Sequence, residues 1–422
     1  MTDSTLLVER VLSNISDARV AVIGDLCVDH YLFVAESAAE TSLETGLHTR
    51  QVGDVRVAPG GAGNVVNNLG SLGVGSIEAI GVVGDDMYGR ELTRMLREAG
   101  ANTEGLVVQR TAWQTSVYTK VYEGGAEDPR LDIGARNRLS HDSSAAVLSA
   151  LRAALSRVDV VILNQQIKEA LFAPTFREEV ARLLASDRGV EKLVDSRDYA
   201  NEFPGTVRKI NLHEARFYSN AEGLDTAERS DSTDSTDDTH SPSGTGPSVA
   251  RVRIDPEVKG LCSGLSRHWG TPIVVTRGQD GCVVANGESI DAVPGVSVPR
   301  PLDPVGAGDA LLAGMAGARA MGIPLSHAAQ GGNLCAAVSV KKLYQAGTTS
   351  AEELRDAAAH PAFRMRPDLA YAPERAEMIG RTRIEVVTSL PHGRRYEYAI
   401  FDHDGTISVL REGWEPVMQD VM

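Results

Sequence analysis

The run Asp303-Pro304-Val305-Gly306-Ala307-Gly308-Asp309-Ala310 places two glycines and an acid at the start of an apolar stretch that reads as a helix from Ala307 to Met321. A helix N-terminus presents unpaired N–H groups and the positive end of a dipole. Without side chains, Gly306 and Gly308 let a phosphoryl group approach those N–H groups closely. Asp309 is then the odd member, because an acid competes with a bound anion. As a base that takes a proton from an attacking hydroxyl, it stands where phosphoryl transfer needs one. The same residues also fit a glycine turn with an acidic first turn.

Pro59-Gly60-Gly61-Ala62-Gly63-Asn64, followed by Asn67 and Asn68, opens a second helix. Its backbone N–H groups and short amides suit neutral hydroxyls, since Asn both donates and accepts. A tight strand-to-helix turn explains it equally. Asp25 and Asp29 close the first strand, at the carboxyl end where open α/β sheets bind ligands, so Asp29 is a candidate to accept from sugar hydroxyls. Asn211 and Glu214 lie three apart after a short strand, Val207 to Ile210, a spacing that can orient magnesium and water near phosphates. Thr276-Arg277-Gly278-Gln279-Asp280-Gly281 leads a strand into a glycine turn. Asn333 to Val340 is a small-residue helix able to lie beside a flat ring, or simply to pack in a core.

Something must hold these pieces at one edge. Apolar runs at Ala18–Gly24, Ile77–Val83, Val158–Leu163, Lys192–Asp195 and Ile273–Thr276 alternate with helical patterns at Ala62–Gly73, Gly89–Ala99, Ser143–Ser156 and Phe176–Ala185. Continuous apolar strands between helices predict a mainly parallel sheet covered on both faces. Tyr31 to Val57 alternates polar and apolar residues and predicts short strands outside that sheet.

The chain has 422 residues, 42% of them hydrophobic, enough for one large α/β domain of about 300 residues plus extensions. Its net charge of −15 and the lack of a basic run argue against nucleic acid. Cys27, Cys262, Cys282 and Cys335 show no metal-ligand spacing and read as buried free thiols suited to a reducing compartment. No segment reaches the ~20 apolar residues that span a bilayer. We expect a soluble cytoplasmic protein.

Residues 221–248 carry seven acids and one Arg with almost no large apolar side chain, so we expect a disordered surface insertion. Residues 350–397 read as a linker that opens with a helix at Ala351–His360. Tyr398 to Phe401 reads as a strand running into Asp402-His403-Asp404-Gly405-Thr406.

In this order, from about Ala18 to Thr349, the motifs resemble the ribokinase-like (PfkB) carbohydrate kinase family. Gly60–Asn68 and Gly306–Asp309 carry the resemblance, with Asp85-Asp86, Asn211/Glu214 and Thr276/Gly278/Gly281 between them. The resemblance implies an α/β three-layer sandwich with a small β lid near residues 31–57, over a kinase domain of residues 1–349. It implies Asp309 as general base and the N–H groups of Gly306, Ala307 and Gly308 as an anion hole. Asp29, Gly60, Gly61 and Asn64 would hold sugar hydroxyls. Asn211 and Glu214 would serve Mg2+ and phosphates, with Thr276, Gly278, Gly281 and Asn333 around ATP. A sugar substrate and a homodimer through the lid are the implied partners.

The pattern Gly24-Asp25…Asp29-His30-Tyr31 with Pro59–Ala62 looks most like bacterial heptose-7-phosphate kinases. Pro304-Val305 and Asn164-Gln165-Gln166 depart from them. Alternatives are a nucleoside or small-alcohol kinase of the same fold, and a catalytically silent nucleotide-binding sensor. The DxDGT run resembles the first motif of haloacid-dehalogenase-like phosphatases, implying Asp402 as nucleophile and Asp404 as acid/base. Only about 25 residues belong to it, far fewer than such a domain needs. We therefore expect no phosphatase activity from these 422 residues, and a chain that is truncated or continues in a longer parent. The acidic insertion gives the first prediction. Replacing 221–248 with a short Gly-Ser linker leaves kcat and melting temperature nearly unchanged, because loop length costs little. A loss of sugar affinity or a collapse in thermal stability overturns that reading.

Overall fold

A computed structural model describes residues 3–35, 40–224, 254–296, 298 and 301–359, with two short paired strands, Glu377–Met378 and Glu385–Val386. In chain order the strands are β1 (Arg19–Gly24), β2 (Leu26–Val34), β3 (Val52–Gly61), β4 (Ser76–Gly84), β5 (Ala101–Gln109), β6 (Ser116–Glu123), β7 (Ala126–Glu127) and β8 (Leu131–Ile133). They continue with β9 (Val160–Gln165), β10 (Glu191–Ser196), β11 (Val207–Asn211), β12 (Ile273–Thr276), β13 (Cys282–Asn286) and β14 (Ser289–Val293). The helices are α1 (Asp3–Leu12), α2 (Ala62–Leu72), α3 (Met87–Glu98), α4 (His141–Leu155), α5 (Pro174–Ser186) and α6 (Leu212–Ala221). After them come α7 (Pro256–Trp269), α8 (Ala307–Ala320), α9 (Leu325–Ser339) and α10 (Ala351–Ala359).

Nine strands form one sheet in the order β14-β13-β12-β11-β10-β9-β1-β4-β5. All neighbours are parallel except β12–β13 and β13–β14. Alternate residues of each strand face opposite layers, as the period of two requires. Val20, Val22, Val160 and Ile162 pack toward α1, α2 and α8, whereas Ala21, Ile23, Val161 and Leu163 pack toward α4 and α5. This is the expected three-layer α/β sandwich. α8 is buried from Ala310 to Ala318 and lies against α9 at small-residue contacts; a Cβ on Gly332 would come 2.6 Å from the Leu311 carbonyl. Such close packing fixes where the N-terminus of α8 points.

The second sheet differs from the sequence reading. The expected short strands of 31–57 are the long hairpin partners β2 and β3, which begin and end outside that interval. β2 also pairs in parallel with β6, and β6 with β7 and β8. Residues 116–133 thus join this sheet through β2, 89 positions before its partner in β6, a long-range pairing with no local signal. The four cysteines are free and buried. No helix of the described residues is long and apolar enough to cross a membrane. Residues 225–248 of the acidic segment, most of the 350–397 linker and all of the 398–422 phosphatase-like run lie outside the described residues.

Arg208 of β11 is a buried cation with carbonyl partners. It is 1% exposed and donates to Ala200 O (2.6 Å), Phe203 O (2.8 Å) and Thr271 Oγ1 (2.6 Å). Its guanidinium lies over the Trp269 ring, 4.7 Å from the centroid, and burial pulls its pKa down to about 10. It ties the loop after β10 to the start of β12. Replacing Arg208 with Met strands these acceptors in the core. Urea unfolding should show a loss of about 3–5 kcal/mol, and a loss below about 1 kcal/mol refutes the tie.

Candidate active site

A pocket of about 400 Å3 opens at the carboxyl ends of β9–β11, between the two sheets. Its wall includes Asp29, Gly61, Asn211, Glu214, Gly306, Gly308 and Asp309 from the sequence reading, together with Cys27, Tyr118, Lys120, Arg130, Gln166, Asp195, Arg197, Lys209 and Val305. Gly60 and Asn64 stand immediately behind it.

The N-terminus of α8 forms one side. Gly306 is its N-cap with φ +80°, a left-handed conformation that favours glycine, and a Cβ there would meet Asn64 Nδ2 at 2.7 Å. Ala307 N–H donates to Pro304 O at 3.2 Å. The N–H groups of Gly306 and Gly308 find no backbone acceptor among the described residues. Of the three N–H groups expected to form an anion hole, those of the two glycines stay open and that of Ala307 is engaged in its own turn. A Cβ on Gly308 would lie 2.9 Å from Lys209 Nζ, so the missing side chain lets that ammonium reach the helix end.

Asp309 is half-buried in the first turn and accepts from Asn64 Nδ2 at 2.8 Å. Burial pushes its carboxyl up to about 7; the Asn64 hydrogen bond opposes that, the nearby Asp195 charge adds to it and Lys209 opposes it. Lys209 Nζ donates to Asp195 Oδ2 at 2.7 Å. Burial disfavours that ammonium, and the Asp195 carboxylate more than restores it. Neither residue of this pair was singled out in the sequence. The signal was present for Asp195: it ends a parallel strand, as Asp29 follows the end of β1.

The second sheet supplies the opposite wall. Asp29 lies 3.5 Å from Lys120 Nζ, which also donates to Tyr31 OH at 3.3 Å. Burial raises the Asp29 pKa against the pull of Lys120. A Cβ on Gly60 would stand 3.0 Å from Asp29 Oδ2, so that glycine makes room for the acid. Arg130 is held by Asp132 at 2.7 and 2.8 Å and covers the Tyr118 ring, 4.3 Å from the centroid. Asp25 belongs to the scaffold instead: its carboxylate accepts from the N–H groups of Gln166 and Ile167, both at 2.8 Å.

Asn211 and Glu214 form a reciprocal cap on α6. Asn211 Oδ1 accepts from Glu214 N at 2.8 Å and Glu214 Oε2 from Asn211 N at 2.9 Å. Asn211 consequently offers an N–H2 donor and Glu214 one remaining oxygen. The four residues expected around the nucleotide do not line the pocket. Thr276 is nearest, paired with Asn211 across β11–β12 and 3.4 Å from Ile210 O. Gly278 has open space where a side chain would be. Gly281 sits against the backbone of Val293 and Gly295, which gives it a packing role, and Asn333 Nδ2 donates to Pro294 O at 3.2 Å.

Residues 17–237 and 256–352 match the pfkB family carbohydrate kinase profile. The chain belongs to that family. The bifunctional protein HldE of Coxiella burnetii (strain RSA 493 / Nine Mile phase I) is 30% identical over 344 residues, covering 81% of this chain and 63% of that protein. The chain thus spans less than two thirds of this relative's length. Among solved structures, ribokinase from Thermotoga maritima superposes with a TM-score of 0.58 at 17% identity, covering 80% of this chain and 98% of the other. Ribokinase from Cryptococcus neoformans in complex with ADP gives 0.56 at 17% identity, covering 80% and 99%. At such identities the likeness is one of fold, and the ribokinase-like architecture is established.

The raised Asp309 pKa has a stability consequence. A carboxyl that titrates near 7 when folded and near 4 when unfolded favours the fold at low pH, and that contribution is lost as pH climbs through this window. Asp309→Asn removes the loss. Its melting temperature should overtake that of the wild type between about pH 4 and 7, the gap reaching on the order of 5 °C at about pH 8. A constant gap at every pH rejects the assignment.

Proposed function

We propose that the chain transfers the γ-phosphoryl group of ATP to a hydroxyl of a sugar phosphate, with a heptose phosphate as the favoured acceptor. One observation carries this reading: Asp309 and the open N–H groups of Gly306 and Gly308 share one pocket with Asp29, and the Asn64 amide holds Asp309 from behind that pocket. In the step, the acceptor O–H breaks and its proton passes to Asp309. The hydroxyl oxygen forms a bond to the γ-phosphorus as the bond to the ADP oxygen breaks. The helix N-terminus and Lys209 face the charge that gathers on the phosphoryl oxygens. Asp29, Gly60 and Gly61 orient acceptor hydroxyls, while the buried Asn64, expected from the sequence to join them, holds Asp309 instead.

Among the described residues no group of three or more His, Cys, Asp or Glu could hold a metal alone. That accords with Mg2+, which keeps several waters and leans on nucleotide phosphates. The free Glu214 oxygen is its protein contact, directly or through water, and Asn211 donates to a phosphate oxygen or a water. When bound, Mg2+ neutralises phosphate charge. Thr276, Gly278 and Asn333 border the nucleotide in this reading.

Lys120, Arg130 and Arg197 support an acceptor that already carries a phosphate, since a neutral sugar has no need of them. The nucleoside alternative is disfavoured by the same wall: the Tyr118 ring that a base would stack on is covered by Arg130. The other face of the second sheet carries exposed Val55, Val57, Leu131 and Ile133. Registers place Val57, His30, Thr119 and Leu131 in one row across it. An apolar outer face of this kind fits a second copy of the chain, and a homodimer through the lid is our reading of it.

ADP formation across sugars and sugar phosphates, heptose 7-phosphate included, tests the acceptor; activity confined to unphosphorylated sugars rejects it. On the best acceptor, kcat/KM should rise with pH through about 7, as Asp309 ionises. Asp309→Asn keeps ATP affinity and lowers kcat by about 10²–10⁴-fold. A variant retaining more than about a tenth of wild-type kcat sinks the general-base role.

A further inference from the structure

Asn64 touches Asp309 through its amide nitrogen, at 2.8 Å. An ionised carboxylate only accepts, so the nitrogen must face it; an amide turned by 180° would set oxygen against oxygen. Nothing in Asn64 itself selects one orientation. The selection comes from Asn68, one helical turn further along α2.

Asn68 is fully buried. Its Nδ2 lies 3.2 Å from Asn64 Oδ1, 3.0 Å from Asn64 O and 3.4 Å from Gly347 O. Two of these three acceptors are backbone carbonyls, which cannot donate, so the Asn68 nitrogen must point at them. Asn64 then has to present its oxygen to Asn68 and its nitrogen to Asp309. The direction of the whole chain is set by the two carbonyls. Its cost is visible: Asn68 Oδ1 is buried with no partner among the described residues. An apolar side chain would avoid that desolvated oxygen.

We propose that Asn68 is a positioning residue for Asp309, locking the Asn64 amide in the orientation that donates to the carboxylate. The proposal deepens the general-base reading and rests on it for its link to catalysis. The other groups facing Asp309 are Asp195 of β10, Lys209 of β11, and Asp29 and the Cys27 thiol of β2, with Glu214 of α6 beyond Lys209. None touches Asn68 in the described hydrogen bonds, so a change at 68 reaches Asp309 through Asn64.

The test uses the ligand-free full chain. Melting temperature is measured against pH for four proteins: wild type, Asp309→Asn, Asn68→Leu and the double variant. Within each pair, the pH at which the Asp/Asn gap levels off reports where Asp309 titrates. Asn68→Leu, similar in shape and lacking the donor, should move that point up by roughly one pH unit, a tenfold change in proton affinity. A purely structural role lowers all melting temperatures and leaves the point unmoved; that result overturns the proposal. Should the leucine variant not fold, Asn68→Ser decides. Its hydroxyl back-bonds to Asn64 O but falls short of Asn64 Oδ1, so the same upward shift is expected and its absence overturns the proposal. If Asp309→Asn keeps phosphoryl transfer while the shift occurs, the positioning stands and the general-base reading falls.

Discussion

In the proposed reaction a carboxylate and a phosphoryl group share the first turn of α8, and most of the site's arrangement fits that conflict. Two negative charges at one helix end repel unless the surroundings divide them. Gly306 and Gly308 turn backbone N–H groups toward the anion, and Asn64 gives the acid a neutral donor of its own. Lys209 reaches the helix end because Gly308 has no side chain. Asp195 holds the ammonium there, at 2.7 Å. An unpaired ammonium at a helix N-terminus is unfavourable; with Asp195 behind it, Lys209 is a fixed charge ready for a phosphate.

The pocket is electrically unlike the chain around it. Its wall holds four carboxylates, Asp29, Asp195, Glu214 and Asp309, and four cations, Lys120, Arg130, Arg197 and Lys209. The chain as a whole carries −15. Local balance, and not net charge, decides whether a polyanionic nucleotide can settle here. An acidic composition of the whole chain is compatible with a phosphate donor at this site.

The parts legible in the sequence were those dictated by local backbone rules. Gly306–Asp309 announces a helix start that only small residues permit, and Ile273–Thr276 reads as a strand because it is continuously apolar. What stayed hidden was set by pairing across distance. Lys120 and Arg130 enter the site because β6 lies parallel to β2, and no periodicity near residue 120 states that choice. Asn211 and Glu214 were read as phosphate and metal residues on spacing that is equally that of a capping box, and the fold uses it as one. Gly281, read as a nucleotide glycine, serves close packing against Gly295. Short motifs fix what a backbone can do, and only tertiary contacts decide which use is made of it.

The division of the site between two sheets bears on specificity. In the proposed reaction the nine-stranded sheet and α8 supply what any alcohol acceptor needs: Asp309 as base, N–H donors and Lys209. The second sheet supplies Asp29, Lys120, Arg130 and Tyr118, which depend on the acceptor's shape and charge. Tyr344 connects the two. Its backbone N–H is held by the Asp303 carboxylate at 2.9 Å, and that carboxylate also accepts from Val305 N at 3.0 Å, just before the anion hole. Its ring meets Phe33 and Tyr122 of the second sheet edge-on, at centroid distances of 5.9 and 5.2 Å. Aromatic contacts of this kind are individually modest and together set an orientation. The loop that aims the glycines is thereby packed against the sheet that, in the proposed reaction, contacts the acceptor. In that reading acceptor preference is best altered through Tyr118, Lys120 and Arg130 with the aromatic edge kept, because Asp29 and the Cys27 thiol of β2 also face Asp309.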